Sequence, residues 1–281
     1  MKQRFAVIGH PIGHTMSPFI HNSLFDLQQK SVDYSALDIS PDKLSNEMNC
    51  RLAELNGFNV TIPHKEAIIS LLDSVDESAL KYNAVNCVLR RDGKTFGCST
   101  DAYGFTQALK ANGVPLSGKV LVLGSGGAAR TLARETCDSG CELVISVRAD
   151  DLPKAHELKA WLSDNGGKVS VCEIKDLSGD FDLCVNATPV GMYPNTDAMV
   201  ISEEQLSHCK ALFDAVYNPQ KTKLIKTAES MGIKTVGGMA MLVWQAVKAH
   251  EFWYNAKFNV ADIEKIIDGA NEEMARLFYG K

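Results

Sequence analysis

The first hint of chemistry is a group of polar side chains at the end of one strand-like stretch. Apolar residues alternate over 58–62, which predicts a half-buried strand, and Pro63 ends it because proline has no amide hydrogen. Thr61, His64 and Lys65 lie at or just past that end, where open α/β sheets bind their ligands. A lysine there could bind an anion or, with a tuned pKa, exchange a proton. The alternative is a solvated lysine at the start of a helix.

Asn86 and Asp101 occupy the same kind of position. Strand-like runs over 84–89 and 95–98 flank Asp92-Gly93, a pair typical of hairpin turns. Asp101 follows the second run and lies at the start of a predicted helix. We therefore expect both polar side chains where a strand gives way to a loop, as for the lysine.

A loop rich in glycine and proline follows the first predicted strand, 4–8. Ser17 and Pro18 then predict a helix start, with the serine as N-cap and the proline at the first helical position. The exposed amides of that helix end, with the hydroxyls of Thr15 and Ser17, would suit a carboxylate or a phosphate. Equally, the serine could be only a cap and the threonine only a loop residue.

The remaining patterns of this region predict three further elements. They are a strand over 32–39, a helix from Pro41 to about Leu55, and a helix that follows Pro63 and runs through Leu72.

A second unit of different character follows a linker over 113–118. An apolar strand is predicted over 119–123, and Gly124, Gly126 and Ala129 then fit the Gly-x-Gly-x-x-Gly/Ala dinucleotide pattern. The first glycine permits a tight turn, the second lets backbone amides approach a pyrophosphate, and the small third residue lets the helix pack on the strand. Strand, turn and helix come in the required order, which favours a Rossmann-like domain.

The next predicted strand, 143–147, should end near the residue that reads the adenosine ribose. An acidic residue there is typical of NAD binding, whereas an arginine accommodates the 2′-phosphate of NADP. Arg148 and Lys154 favour NADP, but Asp150 and Asp151 lie close behind. NADP is the favoured cofactor, and NAD stays an alternative.

These patterns predict an α/β fold of two domains. Residues 1–103 and 238–281 form one of them, an N-terminal α/β domain completed by two C-terminal helices over 239–254 and 260–278. Residues 104–237 form the Rossmann-like dinucleotide-binding domain.

Bulk composition excludes several function classes. The 281 residues are 45% hydrophobic and 22% charged, typical of a globular protein, and the net charge of −5 argues against a nucleic-acid partner. No apolar run reaches the length of a membrane span, and no signal-peptide core is visible, so we expect a cytoplasmic protein without a membrane partner. The eight cysteines form no CxxC pair, and His10 and His14 lie in a loop, so we expect no metal site.

Eight motifs taken together resemble the shikimate dehydrogenase family, and they extend over the whole chain in the family's order. They include Asn-Val-Thr-Ile-Pro-His-Lys at 59–65 and Gly-Ser-Gly-Gly-Ala-Ala-Arg at 124–130. The others are 7–18 with His21 and Asn22, 83–86, 99–104, 186–192, 214–219 and 238–245.

This resemblance implies reversible, NADP-linked reduction of 3-dehydroshikimate to shikimate, in aromatic amino-acid biosynthesis, by a monomer or homodimer. It implies that Lys65 and Asp101 bracket the reacting oxygen as an acid–base pair. The implied substrate-binding residues are Thr15, Ser17, Thr61 and Tyr217 at the carboxylate, and Asn59, Asn86 and Gln245 at the ring hydroxyls. The implied cofactor-binding residues are Gly124, Ser125, Gly126, Gly127, Ala128, Arg148, Thr188, Val216 and Gly238.

Three departures from the family pattern leave alternatives open. Thr15 replaces the usual serine, and Ser125 replaces the usual alanine of the glycine-rich turn. The usual Asn-Arg-Thr triplet is Val147-Arg148-Ala149, so only its arginine is present. A quinate/shikimate dehydrogenase that uses NAD or both nucleotides is therefore one alternative. A separate alternative is a non-catalytic dinucleotide sensor on the same fold, although the presence of both Lys65 and Asp101 argues against it.

Overall fold

The structure, a computed structural model, describes residues 2–13 and 15–280. These residues divide into two compact units. The first contains the chain up to Gly104 together with Val243–Tyr279, and the second contains Phe105–Leu242.

The first part of the chain alternates strands with mostly short helices. In order they are β1 (Gln3–Gly9), α1 (Ser17–Leu27), β2 (Val32–Asp38), α2 (Leu44–Met48), β3 (Gly57–Val60), β4 (Ser74–Val75), α3 (Glu77–Tyr82), β5 (Cys87–Arg91), β6 (Lys94–Cys98) and α4 (Asp101–Ala111). Short 3₁₀ turns cover Pro41–Lys43, Arg51–Glu54 and Ala67–Leu71.

The rest of the chain alternates strands and helices more regularly. The elements are β7 (Lys119–Leu123), α5 (Gly127–Asp138), β8 (Glu142–Val147), α6 (Leu152–Asp164), β9 (Lys168–Glu173), β10 (Leu183–Asn186), α7 (Glu203–Ser207), β11 (Ala211–Asp214), α8 (Lys223–Ser230), β12 (Lys234–Gly237), α9 (Gly238–Tyr254) and α10 (Val260–Tyr279). Two more 3₁₀ turns cover Ala149–Asp151 and Ile174–Asp176.

A six-stranded mixed sheet forms the centre of the first unit, in the order β2-β1-β3-β5-β6-β4. Strands β2, β1 and β3 are parallel, whereas β5 and β6 form an antiparallel hairpin. Alternate residues of β1 face opposite sides, as the pleat requires. Ile8 packs with Leu52 and Phe58 on one face, and Phe5 packs with Trp253 of α9 on the other.

The second unit contains a six-stranded sheet in the order β12-β11-β10-β7-β8-β9, and all its neighbouring strands are parallel. The strand order reverses between β7 and β10, because the chain first winds outward to β9 and then to β12. In open α/β sheets, ligands bind at the carboxyl ends of the strands beside such a reversal. The predicted α/β class with a Rossmann-like unit is confirmed.

Three local predictions for the first unit are wrong. The stretch predicted as one helix from 41 to 55 is a 3₁₀ turn, the short helix α2 and a second turn, because Cys50 leaves helical geometry between α2 and that turn. The stretch after Pro63 forms only the 3₁₀ turn Ala67–Leu71, since so short a segment rarely nucleates an α-helix. Strand β3 ends at Val60, and Ile62 is 73% exposed rather than half-buried.

Within residues 2–13 and 15–280, no helix combines the length and the apolar character needed to cross a membrane.

Candidate active site

An ion pair between Lys65 and Asp101 lies in the first unit. Lys65 follows β3, and its Nζ is 2.6 Å from Oδ2 of Asp101, the first residue of α4. The lysine side chain is 30% exposed and the aspartate side chain 10%. A carboxylate in the first turn of a helix is favoured by the partial positive charge of the helix end. The pair is thus largely screened from solvent, yet the lysine remains accessible to a ligand.

His64 holds the loop that carries Lys65. Its Nε2 lies 2.6 Å from the carbonyl oxygen of Ile39 and must donate to it, because a carbonyl only accepts. The Val85 amide also donates to the carbonyl oxygen of Lys65, at 2.8 Å. His64 is 1% exposed, so its role in the described structure is to anchor the loop after β3 to the end of β2.

Asn86 is the centre of a buried polar network beside this pair. Its Nδ2 lies 2.8 Å from Oδ1 of Asp101, 3.0 Å from Oγ1 of Thr100 and 3.0 Å from Oε1 of Gln245. Two amide hydrogens face three acceptors, so at most two of these bonds form at once. The amide of Thr100 donates to Oδ1 of Asn86, at 2.8 Å. Asp101 therefore accepts from Lys65 on one oxygen and from Asn86 on the other.

Asn59 connects to this network through the backbone. Its Nδ2 donates to the carbonyl oxygen of Asn86 at 3.2 Å, and its Oδ1 accepts a hydrogen bond from the Tyr34 hydroxyl at 2.7 Å. Thr61 follows β3, half-buried, with its amide bonded to the carbonyl oxygen of Ile8. The structure thus joins five residues singled out from the sequence into one network: Lys65, Asp101, Asn86, Gln245 and Asn59.

Thr15 and Ser17 form a separate pair at the start of α1. The Thr15 hydroxyl donates to Oγ of Ser17 at 3.1 Å and accepts from the Ser17 amide at 3.2 Å. The prediction that Ser17 is the N-cap is wrong, because Met16 is the N-cap and Ser17 already belongs to the helix. The threonine hydroxyl binds the first helical amide in the manner of a turn, which shifts the helix start by one residue. The two adjacent hydroxyls at a helix amino terminus suit a carboxylate.

The glycine-rich turn of the second unit has the shape that a dinucleotide requires. Gly124 has φ +102°, and a Cβ there would lie 2.9 Å from Cγ2 of Thr188. Gly126 is the N-cap of α5 with no side-chain cap, and a Cβ on Gly126 or Gly127 would meet nothing within 4 Å. Ala129 is fully buried against the sheet. The turn lies at the carboxyl end of β7, beside the reversal of strand order, so these residues fit a pyrophosphate at the open helix end.

Arg148 follows β8 but is not free of partners. Its guanidinium binds the carboxylate of Asp151, with Nε 2.9 Å and Nη2 2.8 Å from Oδ2. The arginine side chain is 78% exposed, so this is a surface pair that a competing anion can replace.

Asp214 organises the two loops that follow β10 and β11. Its carboxylate is fully buried and accepts bonds from Nδ2 of Asn186, the amide of Val216 and the hydroxyl of Thr222, at 2.9, 3.1 and 2.6 Å. Burial raises the pKa of Asp214 above its ordinary value, although these three bonds lower it. Asn186 in turn accepts from the Thr188 hydroxyl at 2.7 Å, so the loop carrying Thr188 is held indirectly by the same carboxylate.

Two residues of the first unit's network were missed from the sequence. Thr100 lies within the family motif over 99–104, and that motif is a signal by which it can be found. Tyr34 lies in β2 with no motif around it, and only its contact with Asn59 reveals it.

The residues that the structure describes include no group of three or more histidine, cysteine, aspartate or glutamate side chains placed to hold a metal ion. His10 binds the carboxylate of Asp38 at 2.7 Å, whereas His14 lies outside the described residues.

Comparison with known proteins decides the family. Residues 7–88 match the model of the shikimate dehydrogenase substrate binding domain. A shikimate dehydrogenase (NADP(+)) of Clostridium perfringens is 37% identical over 268 residues, which cover 94% of this chain and 97% of that relative. This chain belongs to the shikimate dehydrogenase family.

Solved structures of family members have the same fold. Shikimate 5-dehydrogenase from Thermus thermophilus, in complex with NADP(H) and shikimate, superposes with a TM-score of 0.86 at 32% identity, over 95% of this chain and 99% of that one. The Listeria monocytogenes enzyme, in complex with shikimate and NAD, superposes with a TM-score of 0.83 at 29% identity, over 95% and 96% of the two chains.

Proposed function

We propose that this protein is an NADP-dependent shikimate dehydrogenase that interconverts 3-dehydroshikimate and shikimate. The observation that carries the proposal is the Lys65–Asp101 ion pair of 2.6 Å, joined to a network of amide side chains, in a chain of this family. We propose that the reaction runs in both directions, as reduction and as oxidation, and that the Lys65–Asp101 pair takes part in each.

Lys65 is the proton donor in the reduction. The nicotinamide supplies the hydride, so the protein itself must stabilise the negative charge that develops on the ketone oxygen. The Lys65 ammonium, held 2.6 Å from Asp101, donates a proton to that oxygen. In the oxidation the same amine accepts the proton from the substrate hydroxyl. Asp101 orients the amine, since its carboxylate lies between Lys65 and Asn86.

The surrounding polar groups bind the rest of the substrate. Asn59, Asn86 and Gln245 bind ring hydroxyls, since neutral amides both donate and accept hydrogen bonds without adding charge. Thr15, Ser17 and Thr61 bind the carboxylate, for which the paired hydroxyls at the start of α1 are suited. Tyr217 belongs to the second unit, and its assignment to the substrate rests on the family resemblance.

The second unit binds the dinucleotide. The open amides of 124–128, including those of Ser125 and Ala128, hold the pyrophosphate, and Arg148 binds the 2′-phosphate. The assignments of Thr188, Val216 and Gly238 to the cofactor rest on the resemblance and on the buried Asp214 network that shapes the first two. We likewise propose that residues 1–103 with 238–281 are the substrate domain and 104–237 the nucleotide domain. The cytoplasmic location and the monomer or homodimer state stay predictions.

The decisive test is Lys65→Ala, assayed with shikimate and NADP⁺. We expect kcat to fall about 10²–10⁴-fold while NADPH binding, followed by fluorescence, is unchanged. Lys94→Ala is the matched control, because Lys94 is an exposed lysine of the same unit. Unchanged turnover in Lys65→Ala would remove the lysine from the mechanism. A wild-type protein that binds NADPH but turns over no substrate would instead support the sensor alternative.

A second candidate is a quinate/shikimate dehydrogenase that uses NAD or both nucleotides. The ion pair between Arg148 and Asp151 favours it, because the carboxylate occupies the guanidinium that would bind the 2′-phosphate. Initial rates with shikimate or quinate, each with NADP⁺ or NAD⁺, separate the two candidates. Turnover only with shikimate and NADP⁺ excludes the second.

A further inference from the structure

The orientation of the Asn59 amide follows from its two partners. The backbone carbonyl of Asn86 can only accept, so the group 3.2 Å from it must be the amide nitrogen of Asn59. The side-chain oxygen then faces Tyr34 at 2.7 Å, and the tyrosine hydroxyl must donate to it. These two bonds use the oxygen and one amide hydrogen of Asn59. Among the described residues, the second amide hydrogen has no partner.

Tyr34 reaches Asn59 from two strands away. Tyr34 lies in β2 and Asn59 in β3, with β1 between them, and the tyrosine is only 5% exposed. Burial raises the pKa of Tyr34 well above its ordinary value, and the nearby Cys87 adds to the shift. The hydroxyl therefore keeps its proton and remains a donor at physiological pH.

Behind Tyr34 lies a stack of buried histidines that fixes its ring. His21 of α1 stacks on the tyrosine ring, with centroids 4.4 Å apart and planes inclined by 6°. Nδ1 of His21 lies 3.0 Å from Nε2 of His250 in α9, and Nδ1 of His250 lies 2.5 Å from Nε2 of Gln28. The glutamine nitrogen can only donate, so His250 accepts from it and donates to His21. This order of donors leaves both histidines neutral and holds the ring from behind.

We propose that Tyr34 is a positioning residue for substrate recognition: its hydroxyl holds Asn59 so that one amide N–H is presented to a substrate hydroxyl oxygen. This inference rests on the proposed function only in assigning the hydroxyl to shikimate. Without the tyrosine hydroxyl, the asparagine oxygen is left without its donor, and only the bond to the Asn86 carbonyl still holds the amide. The substrate hydroxyl at this place is therefore recognised as a hydrogen-bond acceptor.

The kinetic test is Tyr34→Phe, which keeps the ring on His21 and removes only the hydroxyl. We expect the KM for shikimate to rise about tenfold, with kcat and the KM for NADP⁺ within about twofold, because a contact equally strong in ground and transition states changes KM alone. Tyr254→Phe is the matched control. Its ring packs on Phe5 in the same unit, but its hydroxyl binds Gln3. This control should leave all three constants unchanged.

A double-mutant cycle separates positioning from a general loss of packing. In an Asn59→Ala background, Tyr34→Phe should raise the KM for shikimate by less than about twofold, since its target is gone. An equal rise in both backgrounds would overturn the proposal, because the tyrosine would then act on something other than Asn59.

The side-chain amide signals of Asn59 in ¹⁵N NMR spectra test the positioning without substrate. In the wild type we expect two well-separated amide proton signals, and in Tyr34→Phe we expect them to converge and to exchange faster with water. Unchanged Asn59 signals in Tyr34→Phe would refute the positioning role. A wild type that gives the expected signals but neither binds nor oxidises shikimate would refute the proposed function and leave the positioning of Asn59 supported.

Discussion

Acidification from pH 7 to pH 5 should weaken the first unit, because two of its buried histidines, His21 and His250, are neutral in the fold. Burial lowers the pKa of His250 to about 3, and burial followed by the neighbouring His250 lowers the pKa of His21 well below its ordinary value. An unfolded histidine has a pKa of about 6.5. Below that pH the unfolded chain binds protons that the folded chain does not, so stability is complete above about pH 6.5 and is lost as the pH falls toward 3.

The size of the loss follows from the width of this interval. One pKa unit corresponds to about 1.4 kcal/mol, and about 1.5 units lie between 6.5 and pH 5, so His250 accounts for about 2 kcal/mol. His21 contributes in the same direction over the range in which it stays neutral, so the whole loss exceeds that of His250 alone. Even about 2 kcal/mol is a large share of the roughly 5–15 kcal/mol by which a domain is stable.

His250→Gln removes one titrating group and keeps both hydrogen-bonding partners within reach, since glutamine can accept from Gln28 and donate to His21. Between pH 7 and pH 5 the free energy of unfolding should then fall by about 2 kcal/mol less than it does in the wild type. Urea titrations followed by tryptophan fluorescence measure it. Trp161 is the only tryptophan of the second unit, so a Trp161→Phe background reports on the unit that contains His250.

The exposed His156 of α6 provides the control, because its ring stays in water in both states. His156→Gln should leave the pH dependence as in the wild type. A His250→Gln protein with the full pH dependence of the wild type would show that His250 is not a source of the acid lability, and the reasoning from burial would fail.

Two further perturbations test the second unit. Asp214→Ala leaves the buried donors of Asn186 and Thr222 without their acceptor, so we expect it to lower the free energy of unfolding by about 2–4 kcal/mol, measured by urea titration with Trp161 as the reporter. An effect within error would mean that the loops relax and pair elsewhere. Asp151→Asn frees the Arg148 guanidinium, so the ratio of kcat/KM for NADP⁺ over NAD⁺ should rise several-fold, and the rise should vanish in an Arg148→Ala background.

The second unit could be predicted closely because its signals are local. Buried parallel strands are short continuous apolar runs, and the run 119–123 is the observed β7. The glycine-rich turn requires a positive φ at Gly124 and an open helix end. The glycines of the turn indicate both features from the sequence alone. The ion pair of Arg148 with Asp151 could not be predicted, because an arginine followed by aspartates in the sequence fits both a free and a paired guanidinium.

The first unit shows where local signals fail. Pro41 is a true start signal, and it does begin a turn, but nothing local reveals how soon that turn ends. The strand signal over 58–62 extended too far, because the exposed Ile62 continues the alternation beyond the last paired residue. In both cases tertiary contacts, not propensity, decide where an element stops.

The same distinction explains which site residues were predictable. Lys65, Asn86 and Asp101 follow strands, and the carboxyl ends of strands mark ligand sites in this class of fold without any knowledge of pairing. Tyr34 follows no such rule: it lies inside β2, 25 residues from Asn59 along the chain, and the bond between them depends on the register of three strands. Residues proposed to touch substrate can therefore be found from strand ends, whereas a residue proposed to orient one of them becomes visible only when the sheet is assembled.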